Sequence, residues 1–315
     1  MIFDLSTAFI KGTKPNLLSD LVAQILNHKH YLTFSGEVVD YLWDVIGKHS
    51  SSTQTDLWLQ SQENLSPTIE IKRYCTTVRD TTFSFEALME MACKPAIILM
   101  ENTREWVVYK RMIECYANDA NYGNLYKMLE RAAKDPARLL PVKSGGCGEM
   151  LQSLDDFFTE GYGLSLEQKV MVVFDRDTIS AYSFDSNKKR LFKRLCGKKF
   201  SKLSNSDVYS LSQPGFIWHM WYRRELENYF PDSVFINSKF QRKVGLPPFE
   251  DNHYADVLEY YAPNKRTEKK LKNSFPLLSS YMTRELFEKN QMVFSIGEKH
   301  FGEIELFLLK IVKIV

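Results

Sequence analysis

The sequence contains little of what marks secreted, zinc-binding or membrane-spanning chains. Its five cysteines are widely spaced and form no Cys-x-x-Cys pair, so neither a disulfide framework nor a zinc knuckle is predicted. The six histidines show no zinc-ligand spacing. No apolar run approaches the length of a membrane span, and the first residues lack the pattern of a secretion signal. We therefore expect a cytoplasmic protein that does not act at a membrane.

Motifs of nucleotide and nucleophile chemistry are also missing. The Gly145-Gly146 pair lacks the spacing of a Walker lysine loop, so an ATPase site within this chain is not expected. No serine or cysteine stands beside a recognisable base. With 44% hydrophobic and 25% charged residues the composition is that of an ordinary folded protein, and a net charge of +2 does not by itself require a nucleic-acid partner. Local patterns must therefore indicate the function.

Three regions of the chain differ in pattern. Residues 1–92 are predicted to form a mostly helical N-terminal region, because apolar residues recur at helical spacing over 17–26 and the pattern continues over 38–46. Residues 93–232 alternate apolar runs with helical patterns, and residues 233–315 are predicted to form a helical C-terminal region. We expect an α/β protein whose central domain is flanked by largely helical N- and C-terminal segments.

Four short apolar runs in the central region are typical of buried strands. They end at Met100, Val142, Phe174 and Trp221, and helical patterns separate the first three. This alternation of strands and helices favours a parallel sheet with right-handed crossovers. The carboxyl ends of such strands meet at one edge of the sheet, where ligands and metals usually bind.

Acidic side chains follow two of these strands. Glu101 and Glu105 come after the first strand, and Asp175 and Asp177 come after the third. Carboxylate oxygens are the ligands that Mg²⁺ prefers, and a close pair of aspartates can serve two ions about 4 Å apart in phosphoryl chemistry. The four carboxylates therefore predict a site for divalent cations.

Taken in order, these motifs resemble the Toprim fold of topoisomerases, bacterial primases and OLD-type (overcoming-lysogenization-defect) nucleases. That pattern is an apolar strand ending in glutamate and, some seventy residues later, an apolar strand ending in Asp-x-Asp. The OLD-like branch typically adds an acidic residue at the position of Glu105, a Gly-Gly turn and an Arg-Glu-Ile-Glu-Asn-Tyr-like segment, which residues 224–229 resemble. The resemblance covers roughly residues 94–231 and departs from the family at Asn102, where glycine is usual.

The resemblance implies a central Toprim-like domain with a mostly parallel sheet between helices, and phosphodiester hydrolysis that depends on Mg²⁺ or Mn²⁺. Glu101 would be the general acid/base or a metal ligand, Asp175 the bridging ligand, and Asp177 and Glu105 outer ligands. OLD-like nucleases often act in defence against phage, frequently with an ATPase. Because this chain has no ATPase motif, a separate ATPase or sensor protein is the expected partner.

The resemblance also assigns a role to two further positions. Glu227, or Glu225 in its place, would complete the second metal site, and the sequence leaves the choice open. Lys143, just before the glycine turn, would neutralise charge that develops on the phosphate.

Simpler explanations compete with each of these assignments. Glu105 fits a capping-box position after Asn102, an Asp-x-Asp segment is common in ordinary turns, and ion pairs with Arg104 or Arg176 would also satisfy Glu101. The corresponding rival function is a regulatory or binding protein with a degenerate Toprim-like fold. A nucleotidyl transferase is a third possibility, although the zinc-binding segment of primases is absent.

A local excess of basic residues follows the third strand. In a chain of nearly balanced charge it is a plausible track for a DNA or RNA backbone, and a solvated helix face is the alternative. The predicted nucleic-acid-binding residues are Lys188, Lys189, Arg190, Lys193, Arg194, Lys198 and Lys199.

Overall fold

The computed structural model describes most of the chain. The described residues are 1–49, 51, 53, 55–56, 58, 65–178, 184–197, 208–211, 213, 215–246, 252–261, 264–296 and 298–315. Lys198 and Lys199 from the predicted basic track lie outside them. Within these ranges, no helix has the length and apolar character needed to cross a membrane.

The N-terminal region contains a small parallel sheet. In it β1 (Ile2–Leu5) lies between β2 (Tyr31–Phe34) and β3 (Thr77–Arg79). The helices of this region are α1 (Thr7–Gly12), α2 (Pro15–Asn27), α3 (Val39–His49), α4 (Ile69–Tyr74) and α5 (Phe85–Cys93). The predicted helices correspond to α2 and α3. The sheet was not predicted, because strands of three or four residues are too short to show a period.

The central sheet has four parallel strands in the order β5-β4-β6-β7. The strands are β4 (Ala96–Met100), β5 (Leu139–Lys143), β6 (Val170–Phe174) and β7 (Ile217–Met220). They confirm the four predicted strands and their parallel direction. All residues of β4 and β6 are buried, as expected for central strands covered by helices on both faces.

Helices connect and cover these strands. They are α6 (Trp106–Tyr116), α7 (Gly123–Ala133), α8 (Cys147–Phe157), α9 (Leu166–Lys169) and α10 (Ser186–Cys196). On α6, Trp106, Tyr109, Ile113 and Tyr116 are buried, which confirms the predicted apolar face. A π-helical turn, Phe158–Tyr162, follows α8.

The C-terminal region is largely helical, as predicted. It comprises α11 (Asp232–Asn237), α12 (Val257–Tyr261), α13 (Lys265–Asn273), α14 (Phe275–Ser280), α15 (Arg284–Asn290), the antiparallel hairpin β8 (Val293–Ile296) and β9 (Lys299–Gly302), and α16 (Glu303–Ile314). The last helix packs against β4, β6 and β7 and shares their hydrophobic core. It therefore belongs structurally to the central α/β unit.

The strand order creates a switch point between β4 and β6. After β4 the chain crosses to β5 on one side, whereas β6 lies on the other side of β4. In parallel sheets, ligands bind in the crevice at the carboxyl ends of two such strands. Glu101 follows β4 and Asp175 follows β6, so both residues stand at this crevice.

Candidate metal centre

Glu101 is a half-buried carboxylate at the end of β4. Burial and the neighbouring charge of Asp177 raise its pKa to about 7, and the Lys188 ammonium opposes the shift. The thiol of Cys147, at the start of α8, lies with its Sγ 3.9 Å from Glu101 Oε1. A carboxyl with this pKa changes protonation near neutral pH, which is the range useful for proton transfer.

Glu105 is 8% exposed and lies in the turn that leads into α6. Its Oε2 accepts a hydrogen bond from Tyr109 (3.0 Å), whose oxygen in turn accepts from the Trp221 indole (3.3 Å). Burial and the charge of Glu101 raise the Glu105 pKa to about 8. The predicted cap is made by Asn102, whose side chain accepts from the Arg104 N–H at 3.1 Å. Asn102 thus forms the predicted helix cap, and the Glu105 carboxylate is buried and hydrogen-bonded to Tyr109.

The Asp175-Arg176-Asp177 loop is fixed by backbone contacts to the segment after β7. Asp175 Oδ1 accepts from the Leu226 N–H at 3.0 Å, and the Asp177 N–H donates to the Arg224 carbonyl at 2.8 Å. Asp177 has a φ of 50°, a left-handed conformation that aspartate tolerates better than most residues. Burial, followed by the charges of Glu105, Asp177, Glu101 and Glu227, raises the Asp175 pKa well above its ordinary value.

Lys188 was predicted to bind nucleic acid as part of the basic track, and its burial contradicts this prediction. It is 1% exposed, and its Nζ donates to the Asp175 carbonyl (2.7 Å), the Arg176 carbonyl (2.8 Å) and Asp177 Oδ2 (2.9 Å). All three ammonium protons are thus used within the protein. Lys188 therefore positions the aspartate loop and supplies positive charge beneath it.

A signal for this role was present in the sequence. Lys188 occupies a place in the i, i+3, i+4, i+7 stripe that it forms with Leu191, Phe192 and Leu195, all of which are buried. A lysine within an apolar stripe must find partners inside the protein. Asp185 caps the helix by accepting from the Lys188 N–H at 2.8 Å, and this cap sets where the helix begins.

Arg176 points away from the two aspartates that flank it. It is 6% exposed, and its guanidinium lies 5.0 Å from the ring centre of Tyr222 and 5.9 Å from those of Phe184 and Tyr254. One of its nitrogens also donates to the Tyr254 hydroxyl at 3.2 Å. The aromatic rings anchor the middle of the loop, so Arg176 is not an ion-pair partner for Glu101 in this structure.

Glu225 caps the start of the short helical turn Leu226–Tyr229, and Glu227 lies within that turn. Glu227 is 5% exposed and is among the charges that raise the pKa of Glu101, Glu105 and Asp175. Glu225 lies with its Oε1 3.7 Å from the guanidinium of Arg224, and burial followed by the charge of Glu227 raises its pKa to about 8. This arrangement favours Glu227 over Glu225 as a member of the carboxylate cluster, whose other members are Glu101, Glu105 and Asp175.

The turn carrying these glutamates is held by its neighbours. The Glu225 N–H donates to Asn228 Oδ1 at 3.1 Å, and the Asn228 amide donates to the Ala255 carbonyl at 2.9 Å. Asn228 is fully buried, so it serves as the scaffold of the turn and not as a ligand. Trp218 and Trp221 are buried core residues and offer no surface for base stacking.

Lys143 stands at the same edge of the sheet. It pairs in register with Met100, so the lysine and Glu101 belong to neighbouring strand ends, and its side chain is exposed. The glycine turn follows at once, and the Gly145 N–H donates to the Glu101 carbonyl at 3.2 Å. Gly145 has a φ of 83°, which explains the need for glycine there. An exposed ammonium at this place is available to a phosphate.

The other described residues of the predicted basic track differ from Lys188 in their exposure. Lys189, Arg190, Lys193 and Arg194 are all exposed on α10. They lie at i, i+1, i+4 and i+5 and so share one side of the helix. Arg194 makes a long ion pair with Asp155 at 3.8 Å.

The donor chemistry of the cluster suits a hard divalent cation. The charge of Glu227 contributes to the raised pKa of Glu101, Glu105 and Asp175, and added positive charge would relieve that repulsion. The side chains are not drawn together as ready ligands, since no group of three or more His, Cys, Asp or Glu residues in the described ranges could hold a metal ion as it stands. Binding a cation would therefore require these side chains to converge.

Comparison of the chain with protein-family models, curated proteins and solved structures found no match. The case for a function therefore depends on the side chains at the carboxyl edge of the central sheet and on the order of the sequence motifs.

Proposed function

We propose that this protein is a divalent-metal-dependent nuclease that hydrolyses phosphodiester bonds in nucleic acid. One observation carries the proposal: carboxylates from three separate segments lie at the carboxyl edge of a parallel sheet, where the charges of Glu101 and Glu227 raise the pKa of neighbouring carboxyls. Such repulsion lowers stability, and perturbed groups of this kind cluster at functional sites. Glu101, Glu105, Asp175 and Glu227 would hold Mg²⁺ or Mn²⁺, with Asp177 at the exposed rim.

The protein groups around the cluster have complementary tasks in this reaction. Glu101, with a pKa of about 7, suits the transfer of a proton to or from the reacting oxygens. The divalent cation, when bound, supplies positive charge for the phosphate and the leaving oxygen. Lys143 lies at the neighbouring strand end, where its ammonium offers charge to a phosphate oxygen.

The Toprim resemblance adds biological context to the proposal. A four-stranded parallel sheet with acidic residues after two adjacent strands agrees with what that resemblance implies. The exposed basic side of α10 gives a surface for a phosphate backbone. By the same resemblance we propose that the nuclease is the effector of an anti-phage defence system and works with a separate ATPase or sensor protein.

A second candidate is a non-catalytic binding or regulatory protein with the same fold. Two observations favour it: the carboxylates are not arranged as a ready metal-ligand set in the described residues, and Asp177 and Glu225 already lie beside Lys188 and Arg224. In this case the ion pairs of Asp177 and Glu225 would persist, and the carboxylates would bind no metal.

Incubation with labelled substrates tests the nuclease directly. The purified full chain is mixed with labelled DNA, messenger RNA and transfer RNA, with Mg²⁺, with Mn²⁺ or with a chelator. The proposal expects metal-dependent cleavage of at least one substrate, and loss of that cleavage in Asp175→Asn. Cleavage that persists in chelator or in Asp175→Asn would refute it, whereas nucleic-acid binding without cleavage would favour the second candidate.

A further inference from the structure

A pocket of about 260 Å³ is lined by the end of α4, the β8–β9 hairpin and the second half of α16. Three cations contribute to it, Arg73, Lys299 and Lys313, and its described lining contains no aspartate or glutamate. The volume is just below the usual lower limit of about 300 Å³ for small-molecule sites. The pocket therefore suits a small anion and is too small for a nucleic-acid strand.

The pocket lies apart from the carboxylate cluster. Helix α16 begins beside the carboxyl end of β7, where Glu303 accepts from the Tyr222 N–H at 2.6 Å. Further along the helix, Lys310 donates to the Trp218 carbonyl within β7 at 2.9 Å. Helix α16 therefore runs antiparallel to β7, and Lys313, in its last turn, lies toward the amino ends of the strands. The candidate metal centre is at their carboxyl ends.

The charges of the three cations are not paired with acids. Within the ranges that the structure describes, none of the three forms an ion pair, and the acids nearest to them in sequence, Glu70 and Glu298, are exposed. Burial alone lowers the pKa of Lys313, with no carboxylate opposing the shift. Its ammonium donates to the Leu211 carbonyl, which leaves two of its three protons for another acceptor. The pocket therefore has an excess of positive charge.

The lining consists of an apolar inner wall and a charged rim. Tyr74, Phe301 and Leu309 are buried and provide the inner wall, whereas Arg73 and Lys299 are exposed. An apolar wall with a few charged groups suits a ligand that has an apolar body and an anionic end. The planar guanidinium of arginine matches the oxygens of a phosphate. A nucleoside monophosphate has this chemistry, because its base is flat and largely apolar on its faces and its phosphate is charged.

We propose that this pocket binds a nucleoside monophosphate. The phosphate contacts Arg73 and Lys299 at the rim, Lys313 donates to it from the side, and the base packs against the apolar inner wall. The site requires no metal and shares no residue with the carboxylate cluster. It therefore stands or falls separately from the nuclease activity.

Calorimetric titration of the full chain in chelator tests this site. The probes are the common ribonucleoside 5′-monophosphates, inorganic phosphate and adenosine. The variants are Arg73→Glu and Lys299→Glu, which change exposed side chains at the rim. Lys72→Glu is the matched control, because Lys72 is the exposed neighbour of Arg73 on α4 and is not part of the described lining.

At least one monophosphate is expected to bind the native chain and Lys72→Glu equally, and to bind each rim variant about tenfold more weakly. Inorganic phosphate and adenosine should each bind more weakly than that nucleotide, because each lacks one part of the ligand. Absence of binding by every nucleotide, or equal binding to the native chain and to both rim variants, overturns the proposal. Inorganic phosphate that binds as tightly as the nucleotide also overturns it, since the apolar wall would then contribute nothing.

Discussion

The Lys188 ammonium lies 2.9 Å from the Asp177 carboxylate and also binds the carbonyls of Asp175 and Arg176. The exposed side of α10 is basic, whereas Lys188 on its buried side binds the Asp175-Arg176-Asp177 loop. The same charge lowers the pKa of Glu101, against burial and Asp177, which raise it. Lys188 therefore links the geometry of the loop to the protonation of the strand-end glutamate.

Replacement of this lysine tests that link. Lys188→Met should destabilise the protein by roughly 1.5–3 kcal/mol, the usual value of hydrogen bonds to charged groups. It should also raise the Glu101 pKa, and with it the acidic limb of the pH profile of cleavage. Urea unfolding and pH–rate profiles measure the two effects, and Lys189→Met, an exposed neighbour, is the control. A lysine that only filled space would change stability without moving the pH profile.

The Glu105 carboxyl allows a second test. Its pKa is raised to about 8, so the stability it contributes is complete below its ordinary pKa of 4.5 and is lost as the pH rises through about 8. Glu105→Gln keeps an acceptor for the Tyr109 hydroxyl and should melt at the same temperature as the native chain at pH 5, but a few degrees higher at pH 8.5. Thermal melts without metal measure the difference, with Glu114→Gln, on α6, as control.

The comparison between variants is essential here because other groups titrate in the same range. Burial lowers the pKa of Lys169 and of Lys310 to about 7, and these lysines make the native chain more stable as the pH rises from 7 toward 10. Their contribution cancels when Glu105→Gln is subtracted from the native protein at each pH. An unchanged difference between pH 5 and pH 8.5 would show that Glu105 titrates normally.

Divalent cations should stabilise the protein more strongly at higher pH. Protons compete with metal for Glu101 and Glu105, whose pKa values are about 7 and 8. Added Mn²⁺ should therefore raise the melting temperature more at pH 8.5 than at pH 5.5. Ca²⁺ and Mg²⁺ series at the same ionic strength separate site binding from general screening. A shift of equal size at both pH values would speak against binding to these carboxylates.

The exposed side of α10 gives a prediction about nucleic-acid binding. Exchange of Lys189, Arg190, Lys193 and Arg194 for glutamine should weaken binding and reduce the salt slope, by roughly 0.7–0.9 for each phosphate that the variant no longer neutralises. Fluorescence anisotropy over a series of salt concentrations measures both. Lys11→Gln with Lys14→Gln, two exposed positions in the N-terminal region, should leave the slope unchanged. If the salt slope of the α10 variant equals that of the native chain, these residues form a solvated helix face and do not bind nucleic acid.

The sequence predicted that Glu101 and Asp175 follow buried parallel strands, because short apolar runs separated by helical patterns indicate such strands. It could not predict that Leu226 N–H would bind Asp175, since backbone donors leave no trace in side-chain patterns. The N-terminal sheet was missed because its strands are only three or four residues long. Lys188 was misjudged because it lies in a run of basic residues, where charge obscured the buried stripe.

Calorimetric titration of Mn²⁺ into the native chain and into Asp175→Asn tests the central claim most directly. Asparagine keeps an acceptor for the Leu226 N–H but removes the charge, so the loop is preserved while the ligand is weakened. We predict saturable binding by the native chain and an affinity lower by roughly tenfold or more in the variant. Heats of dilution alone from the native chain, or equal affinity in both proteins, would contradict the assignment of a metal-dependent nuclease.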